Sequence, residues 1–238
     1  MNNTYNKFAD YYDEYSNAYD YEQWYKRLVA LSCLETVEHK KVLDLGCGTG
    51  SMLLHFAVDK ADIVGVDLSE VMLSYADQKL YKAKKRAILT KADMSRYCID
   101  RKFDFIYSCC DSLNYLTKED MQRLVKNVSR MLKDGAVFAF DLINPSYEFN
   151  EDMVDRFGEG HFTIELRRKC IGENLETEIV IMDEGETQTE THTQYLHSID
   201  FIEELIRQNN LTLLSVGSFD NTEVGNENAR KLQFQVVK

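Results

Sequence analysis

Proline occurs once in 238 residues, as Pro145, and no repeat, low-complexity run or Gly/Ser-rich stretch interrupts the chain. Nothing marks a linker between folding units, so the length suits one α/β core with an appendage too small to count as a second domain. No apolar run approaches the roughly 20 residues needed to cross a bilayer as a helix. The opening segment is polar and tyrosine-rich, unlike a secretory signal. These absences predict a cytoplasmic protein with no membrane partner. The six cysteines, at 33, 47, 98, 109, 110 and 170, form neither C-x-x-C pairs nor a regular framework, which argues against zinc and disulfides. Histidines are too few and too scattered to suggest a metal site with carboxylates. Basic residues are outnumbered, 28 Lys and Arg against 40 Asp and Glu, for a net charge of −12. That balance disfavours a broad nucleic-acid face, whose affinity comes from cations on phosphate. The local patches Lys82, Lys84, Lys85, Arg86 and Arg167, Arg168, Lys169 are too small to reverse it.

What is present begins at Lys41, where the chain reads Lys-Val-Leu-Asp-Leu-Gly-Cys-Gly-Thr-Gly. A strand running into glycines at 46, 48 and 50 lets a ligand approach the backbone, because glycine has no Cβ and accepts positive φ. The spacing is not the dinucleotide fingerprint: the third glycine comes one residue early, and Asp44 would repel a pyrophosphate. A carboxylate there favours a cationic cofactor. S-adenosylmethionine (SAM), with an ammonium, a sulfonium and no phosphate, meets that requirement.

Asp-Ile-Val-Gly-Val-Asp-Leu-Ser, from Asp62, is a short strand ending in Asp67 about twenty residues after the first glycine, where a carboxylate meets ribose hydroxyls in a doubly wound sheet. Ser69 reads as the N-cap of a helix with Val71, Met72, Tyr75 and Ala76 on one face. A third strand, Ala87 to Thr90, leads to Asp93 and Met94, placed to receive an adenine amine and its ring. Phe103 to Cys110 reads as a buried strand ending at Asp111-Ser112-Leu113-Asn114-Tyr115. Thr117 caps a helix with the stripe Met121, Leu124, Val125, Val128 and Leu132, and Gly135 to Leu142 forms the fifth strand.

In this order the motifs Asp-x-Gly-x-Gly-x-Gly, Gly-Val-Asp, Ala-Asp-Met and Asp-Ser-Leu-Asn-Tyr resemble the class I SAM-dependent methyltransferases, from Tyr5 to about Leu142. Tyr-Asn-Lys-Phe-Ala-Asp-Tyr-Tyr-Asp, followed by Tyr21 and Trp24, is similar to the lead-in helix of the branch containing glycine, sarcosine and sugar N-methyltransferases. The resemblance implies a doubly wound, seven-stranded, mostly parallel sheet, with S-adenosylhomocysteine as product. It places the cofactor against Asp44, Gly46, Cys47, Gly48, Gly50, Asp67, Leu68, Met72, Asp93, Met94 and Asp111. Tyr5, Tyr12 and Trp24 are to close over it from a lid spanning residues 1–35. Cys47 is not expected to act as a nucleophile, since methyl transfer from SAM needs no covalent intermediate.

After Pro145 the texture changes. The runs Phe-Thr-Ile-Glu-Leu and Glu-Ile-Val-Ile-Met, and the alternating Thr-Gln-Thr-Glu-Thr-His-Thr-Gln-Tyr, are separated by turns at Gly172-Glu173-Asn174 and Gly185. They predict a small antiparallel sheet within residues 150–196, inserted after the fifth strand and lying over the site. A helix from Ser198, with Phe201, Ile202, Leu205 and Ile206 inward, and strands Leu211 to Val216 and Lys231 to Val237 complete the single domain, residues 1–238. Asn144-Pro145-Ser146-Tyr147 resembles the Asn-Pro-Pro-Tyr motif of amide and adenine methyltransferases. It follows the wrong strand and reads as a turn.

The expected reaction is methyl transfer to a nitrogen of a small polar metabolite. Tyr12, Tyr115 and Asn114 shape the pocket, and Asp111 or His192 could accept a proton, His192 sharing a strand face with Glu190 and Gln194. A tRNA or protein methyltransferase, and a SAM-binding sensor without turnover, are the alternatives. Either a monomer or a homodimer is compatible with the sequence.

Overall fold

The computed structural model describes residues 7–16, 19–150, 154–158, 162–218 and 229–238. Seven strands form the central sheet in the order β10-β11-β5-β4-β1-β2-β3, with β1 at Lys41–Leu45, β2 at Asp62–Asp67, β3 at Ile88–Lys91, β4 at Phe103–Ser108, β5 at Leu132–Ile143, β10 at Thr212–Ser218 and β11 at Lys231–Val237. β1 to β5 pair in parallel, and β11 is antiparallel to both β5 and β10. From β1 the chain moves outward through β2 and β3, then returns to the other side of β1 at β4. The strand order therefore reverses between β1 and β4, and a crevice opens there at the carboxyl ends.

Strand alternation divides the core between the two sheet faces. Leu43, Val64, Ile106 and Phe138 face one way and pack with helix α5 (Lys118–Met131) and helix α6 (Ile199–Gln208). Val42, Ile63, Phe105 and Val137 face the other way, towards helix α2 (Tyr21–Ser32) and helix α3 (Ser51–Phe56). The two predicted caps are in place, the side chains of Ser69 and Thr117 accepting from the backbone N–H groups of Met72 and Asp120, and Ser198 caps the last helix in the same way by accepting from Phe201 N.

Two local expectations shift. On helix α4 (Glu70–Lys82) it is Met72, Leu73, Ala76 and Leu80 that are buried, while Val71 is exposed, because the inward stripe follows the i, i+4, i+8 row from position 72. Leu132 is buried as the first residue of β5 rather than as the end of the α5 stripe, its extended backbone (φ −70°, ψ 141°) ending the helix.

A second, antiparallel sheet has the order β6-β7-β8-β9, from Val154–Phe157, Phe162–Ile171, Asn174–Asp183 and Glu186–Tyr195. The β8–β9 hairpin turns at Glu184-Gly185, both with positive φ (47° and 86°), the geometry that favours glycine in a tight hairpin. Ahead of the first strand a 3₁₀ turn, Phe8–Tyr11, runs into α1 (Tyr12–Ser16), and these pack their aromatic rings against Phe162, Ile164 and Ile179 of the second sheet. Asn114, fully buried, joins the two sheets by donating to Tyr195 O (2.8 Å) and accepting from Ile143 N (3.0 Å). Both ends of its side chain are used in that joint, which leaves pocket shaping to its neighbours. Asn144 caps its own turn by accepting from Ser146 N at 3.0 Å, so the Asn-Pro-Ser-Tyr segment does end the strand.

Candidate active site

The three glycines after β1 serve different ends. All have positive φ, 82° at Gly46, 51° at Gly48 and 76° at Gly50. A Cβ at Gly46 would lie 2.8 Å from Ser112 Cβ, and one at Gly50 2.8 Å from Ala76 Cβ, so these two let loop and helix close up. A Cβ at Gly48 would meet nothing within 4 Å. Gly48 borders the open cavity and gives its N–H to Asp67.

Asp44 stands at the floor. The parallel register places it opposite Tyr107 of β4, whose hydroxyl donates to Oδ2 at 2.8 Å. Its other oxygen, Oδ1, is buried without a hydrogen-bond partner. Burial pushes this carboxyl up to about 8, against the opposing pull of the Tyr107 bond. A buried carboxylate oxygen left open beside a cavity is a receptor for a cationic group. Asp67, at the end of β2, accepts from Gly48 N through Oδ2 and Ser69 N through Oδ1, both at 2.8 Å, and burial raises its carboxyl too. Asp93 accepts from Ser95 N at 2.9 Å and Ser95 Oγ at 2.7 Å, and Arg96 lies 3.5 Å from its outer oxygen.

These groups border one cavity of about 540 Å³. Among the residues singled out from the sequence, Asp44, Gly46, Cys47, Gly48, Asp67, Leu68, Met72, Asp93 and Met94 line it, together with Tyr12 and Tyr115. Burial pushes the Cys47 thiol well above its ordinary range, so it stays protonated. Gly50 acts through packing instead. Trp24 stands apart from the cavity: its ring stacks on Tyr19 (5.3 Å, 28°) under the Lys231 ammonium. Asp111 is held outside the cavity lining, paired with buried Lys231 and accepting from Gln194 Nε2 at 2.6 Å. His192 is 2% exposed and touches Tyr115 from behind, its Nδ1 2.9 Å from the phenol oxygen, rather than lining the cavity. Tyr5 lies outside the described residues. No group of three or more His, Cys, Asp or Glu side chains able to hold a metal is found among the described residues.

Residues 42–135 match the family model described as "Methyltransferase domain". YqeM of Bacillus subtilis (strain 168), a protein named as a methyltransferase, is 37% identical over 152 residues, 63% of this chain and 60% of that one. A crystal structure of a SAM-dependent methyltransferase from Clostridium acetobutylicum ATCC 824 superposes with a TM-score of 0.82 at 26% identity, covering 98% of both chains. The fold is that of the class I SAM-dependent methyltransferases, with the methyltransferase-domain match over residues 42–135. A third relative, the dTDP-3-amino-3,4,6-trideoxy-alpha-D-glucopyranose N,N-dimethyltransferase of Streptomyces venezuelae, is 33% identical over 132 residues, 54% of each chain. The chain thus spans little more than half the length of two of these curated relatives.

The open Asp44 Oδ1 and the glycine loop suit a cationic, phosphate-free ligand. The N-terminal segment, residues 8–16, is fastened to the glycine loop, α4 and β8 by residues that the sequence reading missed. Lys79 of α4 donates to Asp13 Oδ1 (2.6 Å), Thr49 Oγ1 (2.9 Å) and Ser51 Oγ (2.7 Å), tying α1 to the glycine loop. Tyr75 donates to Asp10 at 2.6 Å, and Tyr11 to Asp183 of β8 at 2.6 Å. Thr191, Thr193 and Tyr195 of β9 also line the cavity. The alternation that put Glu190, His192 and Gln194 on one face contained them as the other face. The signal was present, and the polarity of the histidine face drew attention away from it. Among the described residues no helix is long and apolar enough to cross a membrane.

Proposed function

We propose that the domain transfers the SAM methyl group to an amine nitrogen of a small polar metabolite by direct in-line displacement. The observation with most weight is Asp44 Oδ1, partnerless in the floor of a cavity of about 540 Å³, within the range of about 300–1,000 Å³ usual for small-molecule sites. SAM supplies a methyl already activated by its sulfonium. The chain's own residues have then to hold the acceptor in line and keep water out, and positioning of this kind is worth roughly 7–11 kcal/mol of barrier.

The cavity is poor in bases. Asp67 and Asp93 are occupied by backbone and serine donors, Asp120 pairs with Arg123 at 2.7 Å, and the Cys47 and Cys109 thiols are pushed well above their ordinary range, by burial at Cys47 and by the neighbouring Cys110 thiol and burial at Cys109. An amine brings its own lone pair, whereas a hydroxyl needs a base in reach. The acceptor of the Streptomyces venezuelae relative, a nucleotide-linked amino sugar by its name, points the same way. Tyr12 and Tyr115, both on the cavity wall, are the residues assigned to acceptor positioning, with His192 behind Tyr115.

The test is transfer from methyl-labelled SAM to small amines including amino sugars, to their hydroxyl analogues, and to tRNA and protein. Label on an amine but not on its hydroxyl analogue is expected. Label confined to tRNA or protein would overturn the small-molecule reading, and SAM binding with no transfer to any of them would favour a sensor. Tyr12→Phe and Tyr115→Phe should each lower turnover roughly 10–100-fold with SAM affinity within about threefold. Unchanged turnover in both removes the assignment of these tyrosines.

A further inference from the structure

A chain of hydrogen bonds leaves the cavity behind Tyr115 and ends on the backbone of the lid. Tyr115 Oη lies 2.9 Å from His192 Nδ1, and His192 Nε2 lies 3.3 Å from Glu190 Oε2. The other carboxylate oxygen, Glu190 Oε1, accepts the backbone N–H groups of Lys7 (2.6 Å) and Phe8 (3.2 Å). The Phe8 ring closes the lid end of this path, edge-on to the imidazole at 6.2 Å.

The partners at the two ends of the imidazole determine which nitrogen carries its hydrogen. Burial would push the Glu190 carboxyl up, but His192 and the two lid N–H groups outweigh burial and hold it below its ordinary value. It is a carboxylate at neutral pH, with no hydrogen to give. The imidazole hydrogen therefore belongs on Nε2, and Nδ1 is left to accept the Tyr115 hydroxyl. With its hydrogen drawn away from the cavity, the Tyr115 oxygen can offer an acceptor only a lone pair, which orients an amine by one N–H and leaves the nitrogen lone pair for the methyl carbon.

We propose that Glu190 is a positioning residue that couples lid docking to Tyr115, because the carboxylate that receives the lid backbone also fixes His192 as the acceptor of the Tyr115 hydroxyl. The inference rests on the methyl-transfer reading of the cavity. It adds an interlock: the orientation of Tyr115 is set only when the lid that carries Tyr12 is down.

Glu190→Gln separates coupling from mere anchorage. The two lid donors hold the amide oxygen in place of Oε1, so the amide nitrogen must face His192 Nε2 and give it a hydrogen. The imidazole hydrogen should then move to Nδ1, while affinity for S-adenosylhomocysteine stays within about threefold. Glu190→Ala, which releases the lid as well, should weaken that affinity about tenfold. The tautomer is read from the imidazole nitrogen resonances of His192, assigned with His192→Asn, both without ligand and with S-adenosylhomocysteine. A wild-type hydrogen on Nδ1, or a Gln variant with the wild-type tautomer, overturns the inference. Failure of wild type to bind S-adenosylhomocysteine would instead remove the methyl-transfer reading, and the ligand-free spectra would still decide the role of Glu190.

Discussion

The carboxyl edge of the parallel sheet and the wall raised over it by the lid and β9 are assembled at different ranges of the chain. At the edge, Asp44, Asp67 and Asp93 each stand at or just beyond the end of a strand, and the bond that joins two motifs, Gly48 N to Asp67, spans 19 residues. In the wall the joining bonds span 77 residues from Tyr115 to His192, 172 from Tyr11 to Asp183 and 183 from Lys7 to Glu190. The edge is held by strand pairing and backbone donors inside a packed core. The wall is held by a few side-chain bonds, several of them part-exposed, and belongs to the low-stability end of the molecule. Ligand affinity should therefore rest on the edge, and turnover on the wall.

The sharpest way to test this division is Asp67→Ala. It removes the acceptor for Gly48 N and Ser69 N, leaving loop donors unsatisfied, and with it the carboxylate proposed to meet the ribose. SAM affinity should fall about 100-fold or more, equivalent to about 2.7 kcal/mol, in a calorimetric titration. A loss smaller than that from any wall substitution would break the comparison.

Asp44→Asn comes next, and it should separate binding from stability. The Asp44 carboxyl is raised by burial from 3.8 to about 8, so between those values the native state holds a proton that the unfolded chain has released. The stability tied to this group is fully present below about 4 and is lost as pH rises through about 8. The Asn variant escapes that loss, so its advantage in denaturant unfolding should grow from pH 5 to pH 8 and reach roughly 1–3 kcal/mol. SAM affinity should fall about tenfold, since the amide cannot take the ammonium as a carboxylate does. Binding to wild type near pH 7 should release a proton, measurable as a dependence of the binding heat on buffer ionisation. A stability difference that is flat with pH would mean that the Asp44 carboxyl titrates no higher in the folded chain than in the unfolded one.

The same difference in range explains how much was legible in advance. The individual strands, the inserted hairpins and two helix caps follow from local patterns, most of the cavity floor from motifs about twenty residues apart, and the seven-stranded sheet from the resemblance to the methyltransferase family. Trp24 and Asp111 stand apart from the cavity lining because tertiary partners hold them: Tyr19 and Lys231 for the indole, Lys231 and Gln194 for the carboxylate. Lys231 lies 120 residues from Asp111, and no local pattern announces a buried ion pair at that distance. Lys79 was hidden for another reason. In the helix that carries it, the polar face looks solvated, and its three acceptors come from the lid and the glycine loop.

Lys79→Met gives the smallest effect and asks whether lid and edge are one unit. The Lys79 side chain is 23% exposed and that of its partner Asp13 37%, so this ion pair is partly screened. Burial lowers the Lys79 ammonium against the raising influence of Asp13, a sign that the site costs desolvation as well as gaining attraction. Asp13 keeps the Thr49 hydroxyl at 2.7 Å in the variant, so the lid loses one clasp and not its footing. The expected cost is about 0.5–1 kcal/mol of stability, shrinking with salt, with SAM dissociation about threefold faster. Hydrogen exchange is the measurement that decides what moves. Faster exchange confined to α1 would mean that the wall opens independently of the edge. An equal loss of protection at Gly48 would mean that Lys79 binds both into one cooperative unit, and the division between affinity and turnover would then have to be drawn elsewhere.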